Sequence, residues 1–326
     1  MGLFDFLGNK NKILGIDIGT AGIKVVEAER HENKTELVNY GLTQADLRTG
    51  LKVSDLGPAE IGGLIKRVLV EMKCKTRRAV ISLPLNLSFS VLIEMPFLGQ
   101  KELEAAIPYE AKKYIPVPIE DVSLDWVIID QSANTPTDPM IKNQPPKPPQ
   151  RIFVLLVAVP NEVIKKYTQV AKSAGLQLLS LEIESFAMLR SLVGNDPHTY
   201  LLLDFGTKGT NVVIAQGGLV RVAYNVESTE RGTVLTEVQR IVNLHKTKYN
   251  KNIQRCILSG GSIYAKTGER ENKEKEYAGA IKTALGLEAN FGDPLARIEY
   301  PEKLKKVFAD IGPALAVAVG LAMKDT

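Results

Sequence analysis

Cysteine and histidine are scarce in this 326-residue chain, with two of the first and three of the second. Cys74 and Cys256 stand far apart, with no Cys-x-x-Cys pair and no histidine at ligand spacing. That excludes a disulfide framework and a zinc site of the usual spacing, and it fits a reducing compartment. Long apolar runs are also missing. The longest, Ile311 to Met323, is too short to cross a bilayer and is rich in alanine and glycine, so it reads as a buried helix. The start, Met1 to Gly8, has only a few apolar residues, interrupted by Asp5 before Lys10 and Lys12, and does not read as a signal peptide. The net charge of +4 is spread along the sequence and gives no warrant for nucleic-acid binding. The expectation is a cytoplasmic protein. Membrane contact would come through a partner, or through the amino-terminal Leu3, Phe4, Phe6, Lys10 and Lys12.

What the sequence does contain is one local pattern used twice. Ile16-Asp17-Ile18-Gly19-Thr20 and Leu203-Asp204-Phe205-Gly206-Thr207 each close an apolar strand at an aspartate. A further glycine follows, Gly22 or Gly209, and then a second strand-like stretch. A glycine turn lets backbone N–H groups approach an anion, and an aspartate at the strand end can hold a hydrated divalent cation. In the first hairpin, Asp17, Gly19, Thr20, Ala21, Gly22 and Lys24 are the candidate ligand residues; Lys24 lies seven positions after Asp17, on the returning strand. In the second, Asp204, Gly206, Thr207, Lys208 and Gly209 take the equivalent places. Asp17 and Asp204 are the candidate metal residues, acting through water. A strand ending at Ser259-Gly260-Gly261-Ser262 offers a flat backbone to a ribose or purine face through Gly260, Gly261 and Ser262.

Periodicity predicts strands over 13–30 and 35–43, a helix from Pro58 to about Lys73, and a strand at Ala79–Pro84. A strand at Phe89–Met95, a helix from Gln100 to Tyr114 and strands at Val122–Asp130 and Ile152–Val159 follow. Six prolines between Asn134 and Gln150 make that stretch an exposed connector. Beyond it come a helix at 161–174, a strand at Leu178–Ile183, three strands to about Val226 and a helix from Gly232 to about Tyr249. A charged helix (269–284) and an alanine-rich final helix from Phe308 complete the pattern. Small residues in that last helix admit close approach of the helix after Glu182-Ile183-Glu184-Ser185-Phe186-Ala187. Strand alternation puts Glu182 and Glu184 on one face.

These segments, in this order, resemble the phosphate-1, connect-1, phosphate-2, adenosine and connect-2 segments of the actin, chaperone and hexokinase superfamily. Within it the chain resembles the PilM family of type IV pilus assembly. The matching phrases are Gly2-Leu3-Phe4, the run from Glu110 to Glu120, Ile183 to Ala187, and Leu285-Gly286-Leu287 with Gly292-Asp293-Pro294. The resemblance implies an α/β, two-lobed actin-like ATPase fold of duplicated ribonuclease-H-like lobes with an FtsA-type 1C subdomain in the first. Residues 1–87, completed by 175–198 and 311–326, would form the first lobe, 88–174 the insert with its proline-rich loop 134–150, and 199–310 the second lobe.

It also implies ATP and Mg2+ in the interlobe cleft, and docking on the cytoplasmic amino-terminal peptide of PilN, an inner-membrane protein paired with PilO. Pilus motor ATPases and self-association are further partners in that reading, with no nucleic acid and no transmembrane insertion. Glu184 is the candidate for orienting an attacking water, giving at most a slow ATPase. The alternatives are a small-molecule kinase of the same superfamily and an FtsA-like cell-division protein. No histidine lies near the hairpins in sequence to serve the first, and no amphipathic carboxy-terminal helix to serve the second.

Overall fold

A computed structural model of the chain describes residues 11–32, 34–44, 52–130, 151–262 and 270–325. The amino-terminal phrase and the proline-rich stretch singled out above lie outside the described residues. The chain separates into two compact units, Leu87–Val163 and the remainder.

The larger unit contains two sheets of the same design. In the first, β1 (Lys12–Ile18), β2 (Gly22–Arg30) and β3 (Thr35–Gln44) form an antiparallel meander. Strands β4 (Arg78–Leu83) and β8 (Gln177–Ile183) add parallel to β1, giving the order β3-β2-β1-β4-β8. The second repeats this with β9 (Thr199–Phe205), β10 (Thr210–Gln216), β11 (Leu219–Val226), β12 (Arg255–Ser259) and β13 (Ala289–Phe291), in the order β11-β10-β9-β12-β13. Central strands β1 and β9 are buried on both faces, as their nearly unbroken apolar sequences require. The repeat extends to register: Asp17 pairs with Lys24, and Asp204 with Asn211.

Helices cover the sheets. Helix α1 (Pro58–Glu71) starts with proline in its first turn, and the Glu60 carboxylate accepts from Gly57 N–H at 2.8 Å. Helix α3 (Asn161–Ala174) and α4 (Glu184–Leu192) complete the first lobe. In the second, α5 (Arg231–Tyr249) is capped by Glu230, whose carboxylate accepts from Gly232 and Thr233, and it ends at left-handed Asn250. Helix α6 (Arg270–Leu285) leads to β13. The final alanine-rich segment is two helices, α7 (Lys305–Ile311) and α8 (Ala316–Ala322), separated by a 3-10 turn over Gly312–Leu315. Pro313 has no N–H to continue the α-helical ladder, which accounts for the break.

Helix α8 crosses α4 so closely that a Cβ on Gly320 would overlap the Ala187 backbone, and on its other side Gly15 of β1 meets Ala318 and Ala322 in the same way. The expected close helix approach is therefore present, at Gly320 and Ala187.

The smaller unit is an antiparallel sheet, β5-β7-β6, of β5 (Phe89–Pro96), β7 (Arg151–Pro160) and β6 (Val122–Asp130), with α2 (Gln100–Ala111) on one face. Ile93, Met95, Ile152, Val154 and Leu156 meet Leu103 and Ile107 in its core. Helix α2 carries Pro108 and ends at Ala111, short of Tyr114.

Candidate functional site

The first hairpin builds an ion-paired corner. Asp17 Oδ2 lies 2.8 Å from Lys24 Nζ, and the pair is well shielded, with side-chain exposures of 7% and 21%. Parallel pairing of β1 with β4 sets Ser82 beside Asp17, and its hydroxyl donates to Asp17 Oδ1 at 3.0 Å while accepting from Ile18 N–H at 3.1 Å. The Gly19 amide bonds Gly22 O within the turn at 3.0 Å. Among the described residues, the Thr20 and Ala21 amides have no intramolecular acceptor. Burial works against the Lys24 ammonium, but Asp17, then Asp204 and Glu184, outweigh it and raise its pKa.

The second hairpin has the same turn, with Gly206 N–H donating to Gly209 O at 2.9 Å, and a different charge balance. Asn211 stands where Lys24 stands in the first. It donates to Asp204 Oδ2 at a long 3.4 Å and to Glu184 Oε1 at 2.8 Å. Asn225 Nδ2 donates to Asn211 Oδ1 at 2.7 Å, which fixes which way the Asn211 amide faces. Ser259, the register equivalent of Ser82, turns away and donates to Pro313 O at 2.9 Å. Burial, with Asp17 adding to it and Lys24 opposing, pushes the Asp204 carboxyl up to about 6.

Glu184 sits between the hairpins. Its Oε1 accepts from Leu85 N–H at 2.7 Å in the first lobe and from Asn211 in the second. Burial, then repulsion from Asp204, drives its carboxyl up to about 8 against those two hydrogen bonds. Glu182 does not share its face. It forms an ion pair with Arg190 at 2.5 Å and lies 3.8 Å from Lys324. The strand ends at Ile183 and the helix begins at Glu184, so the two-residue alternation used to place both together stops between them.

The third segment lies against the end of the second hairpin's first strand. Gly260 has φ +112°, and a Cβ there would run into the Phe205 backbone. Ser262 donates through its amide (3.0 Å) and hydroxyl (2.7 Å) to Phe205 O. Gly261 faces open space, with no atom within 4 Å of a hypothetical Cβ. Thr207 and Lys208 are exposed. Lys208 Nζ bonds Ser54 Oγ at 3.0 Å and lies 3.5 Å from Asp55, on a 3-10 turn that hangs from the first hairpin through Val53 N–H to Thr20 O at 3.0 Å.

The structure thus brings Asp17, Lys24, Glu184 and Asp204 into one electrostatic cluster and sets Gly260 and Ser262 against Phe205. Ser82 and Asn225 belong to the same network but fall in no motif. The register of β1 with β4 and of β10 with β11 places them, while Asn211 holds the seventh position after Asp204 that Lys24 holds after Asp17.

The architecture has a counterpart among solved structures. A chain of a PilM–PilN type IV pilus biogenesis complex matches with a TM-score of 0.76 at 22% identity, over 95% of this chain and 97% of that one. The cytoplasmic domain of EpsL, an inner-membrane component of the Vibrio cholerae type II secretion system, aligns at 12% identity and a TM-score of 0.48, over 77% of this chain and 82% of that one. The ethanolamine utilization protein EutJ of Carboxydothermus hydrogenoformans aligns at 15% and 0.49, over 95% and 88%. The fold is the actin-like ATPase fold. The sequence model for type IV pilus assembly protein PilM matches residues 15–231, well over half of the chain. The chain belongs to the PilM family of type IV pilus assembly proteins.

Proposed function

We propose that this chain is a cytoplasmic scaffold that binds Mg-ATP between its two hairpins and docks the cytoplasmic amino-terminal peptide of PilN at the inner membrane. The observation that carries the nucleotide reading is the convergence of Asp17, Asp204 and Glu184 around Lys24. Two carboxyls held well above their ordinary range mark a site short of positive charge, which a divalent cation would supply.

The residues fit such a ligand. Among the described residues no three His, Cys, Asp or Glu side chains close to metal-ligating spacing, so Asp17 and Asp204 would hold Mg2+ through its water shell. The Thr20 and Ala21 amides face no internal acceptor and, with the equivalent Thr207 and Lys208 amides, suit phosphate oxygens. The open side of Gly261 leaves room for an adenosine face.

When bound, the cation neutralises phosphate charge. Glu184, held by Leu85 and Asn211, positions water beside it and supports slow hydrolysis at most, so ATP acts chiefly as a ligand that sets the relation of the two lobes. The PilN reading rests on family membership and on the PilM–PilN match. The smaller unit, a sheet with one helix, supports a 1C-type insert that ends near Val163, with most of α3 in the larger unit and not in the insert as bounds of 88–174 would have it. Among the described residues no helix is long and apolar enough to cross a membrane, in keeping with attachment through partners.

The test is to incubate the purified protein with Mg-ATP for hours, remove free nucleotide and identify what stays bound, with a PilN amino-terminal peptide titrated in parallel. Retained ATP supports a scaffold locked by its ligand. Retained ADP makes the enzyme reading serious and Glu184 the next residue to mutate, and an empty protein refutes the cleft reading.

A further inference from the structure

The positive charge is not evenly spread in space. Between Glu237 and Glu269 the sequence has no acidic residue, yet it carries Arg240, Lys246, Lys248, Lys251, Arg255 and Lys266. The last turn of α5 and the loop into β12 gather Lys246, Lys248, Lys251 and Arg255 at one end of the second lobe, with Arg240 farther back along the helix. Strand β11 runs from there, at Leu219, to Val226 beside the second hairpin, so this basic end lies at the opposite edge of the sheet from the cleft.

Three of these side chains are partly occupied, and Lys248 is one, its ammonium lying 5.3 Å from the Tyr249 ring centre. Arg240 pairs with Glu237 at 2.9 Å, and Arg255 stacks over Tyr200 and lies 3.6 Å from Asp196. Lys246, Lys248 and Lys251 are exposed, and among the described residues none has a carboxylate partner. Lys34, Lys113, Lys282 and Lys305, by contrast, each sit within 3.0 Å of a glutamate oxygen. A helix end attracts cations because of its dipole, but that dipole amounts to about half a charge and one lysine offsets it. Three lysines and a neighbouring guanidinium exceed that need.

Apolar surface sits among these charges. Leu244 is 57% exposed, one turn from Lys248.

We propose that the carboxy-terminal end of α5, with Lys246, Lys248, Lys251 and Leu244, is a contact surface for an anionic phospholipid bilayer. Lysine ammoniums are hydrated point charges on flexible stems, suited to a plane of lipid phosphates rather than to the bidentate recognition of one carboxylate. They sit at and just beyond an exposed helix end, where a bound peptide would need a groove or a free strand edge. The exposed leucine gives the surface a means of entering the headgroup layer. The contact is weak alone and adds to a partner-mediated tether by raising local concentration.

The test is co-sedimentation of the full chain with vesicles of 30% phosphatidylglycerol in phosphatidylcholine, against phosphatidylcholine alone. The variant carries Lys246→Gln, Lys248→Gln and Lys251→Gln, and the control carries Lys101→Gln, Lys172→Gln and Lys303→Gln. Both keep the amino-terminal residues, and their melting curves report folding. A second variant, Leu244→Ser, keeps all charges. The expected result is binding only to the anionic vesicles, weakened by added salt and at least fivefold weaker in the triple variant than in the control. Leu244→Ser lowers it by a smaller factor. Equal binding by variant and control, no binding to either vesicle, or preference for a duplex oligonucleotide or a polyglutamate peptide over the anionic vesicles overturns the proposal.

Discussion

The two hairpins share turn, register and neighbours, and differ in one residue that matters. Where the first has Lys24 opposite Asp17, the second has Asn211 opposite Asp204. The serine one strand over follows suit: Ser82 bonds Asp17, whereas Ser259 bonds Pro313. The first aspartate is therefore matched inside the protein, and the second is left with an amide at 3.4 Å and a carboxyl pushed up to about 6. The two cradles match in turn and register, and the residue opposite each aspartate decides whether its charge is met within the protein.

The largest expected effect comes from breaking the matched half. Lys24→Ala strands Asp17 and removes the countercharge near Glu184 and Asp204, so unfolding in urea should show a loss of about 3 kcal/mol. Retention of Mg-ATP should disappear with it. A protein of unchanged stability would mean that the corner is not a shielded pair.

The pH dependence of the ligand-free protein follows next. The folded-state carboxyl of Glu184 lies at about 8, above its ordinary 4.5. Its contribution is therefore fully present below pH 4.5 and is lost as the pH rises through 8. Melting curves between pH 5 and 8.5 should show a decline of roughly 2 kcal/mol, reduced from the full shift because the group is half-buried. Glu184→Gln should flatten it.

Asn211→Lys makes the second hairpin a copy of the first. The new ammonium should hold Asp204 ionised and occupy the place of the cation. Affinity for Mg-ATP, read by calorimetry, should fall at least tenfold, or about 1.4 kcal/mol, with no loss of stability. The smallest difference separates the serines. Each to alanine should cost about 1 kcal/mol of stability, but only Ser82→Ala should also weaken nucleotide binding.

Much of this was legible beforehand. The strand-Asp-Gly-Thr pattern and its spacing located both hairpins, and apolar periodicity located β1 to β12. Strand β13 escaped because three residues, Ala289 to Phe291, are too few to show a period. Ser82 and Asn225 escaped because they join the site through sheet register, which depends on strands brought together across 65 residues in one case and 14 in the other. Glu182 was misplaced because alternation was carried one residue past the end of its strand. The uneven distribution of charge escaped a sum over the whole chain, since a total carries no information on where the lysines sit.

The packing of α8 against β1 also bears on how the molecule is made. The second lobe's core draws on residues 201 to 289, a single stretch that can begin to collapse as it leaves the ribosome. The first lobe's core joins Val26 and Ala28 to Leu315, Ala318 and Val319, and Gly15 sits against Ala322. Its opening strands must therefore wait for nearly three hundred further residues to be synthesised before one face is covered, and contacts of such separation form slowly. The lobe that is translated first is the one completed last.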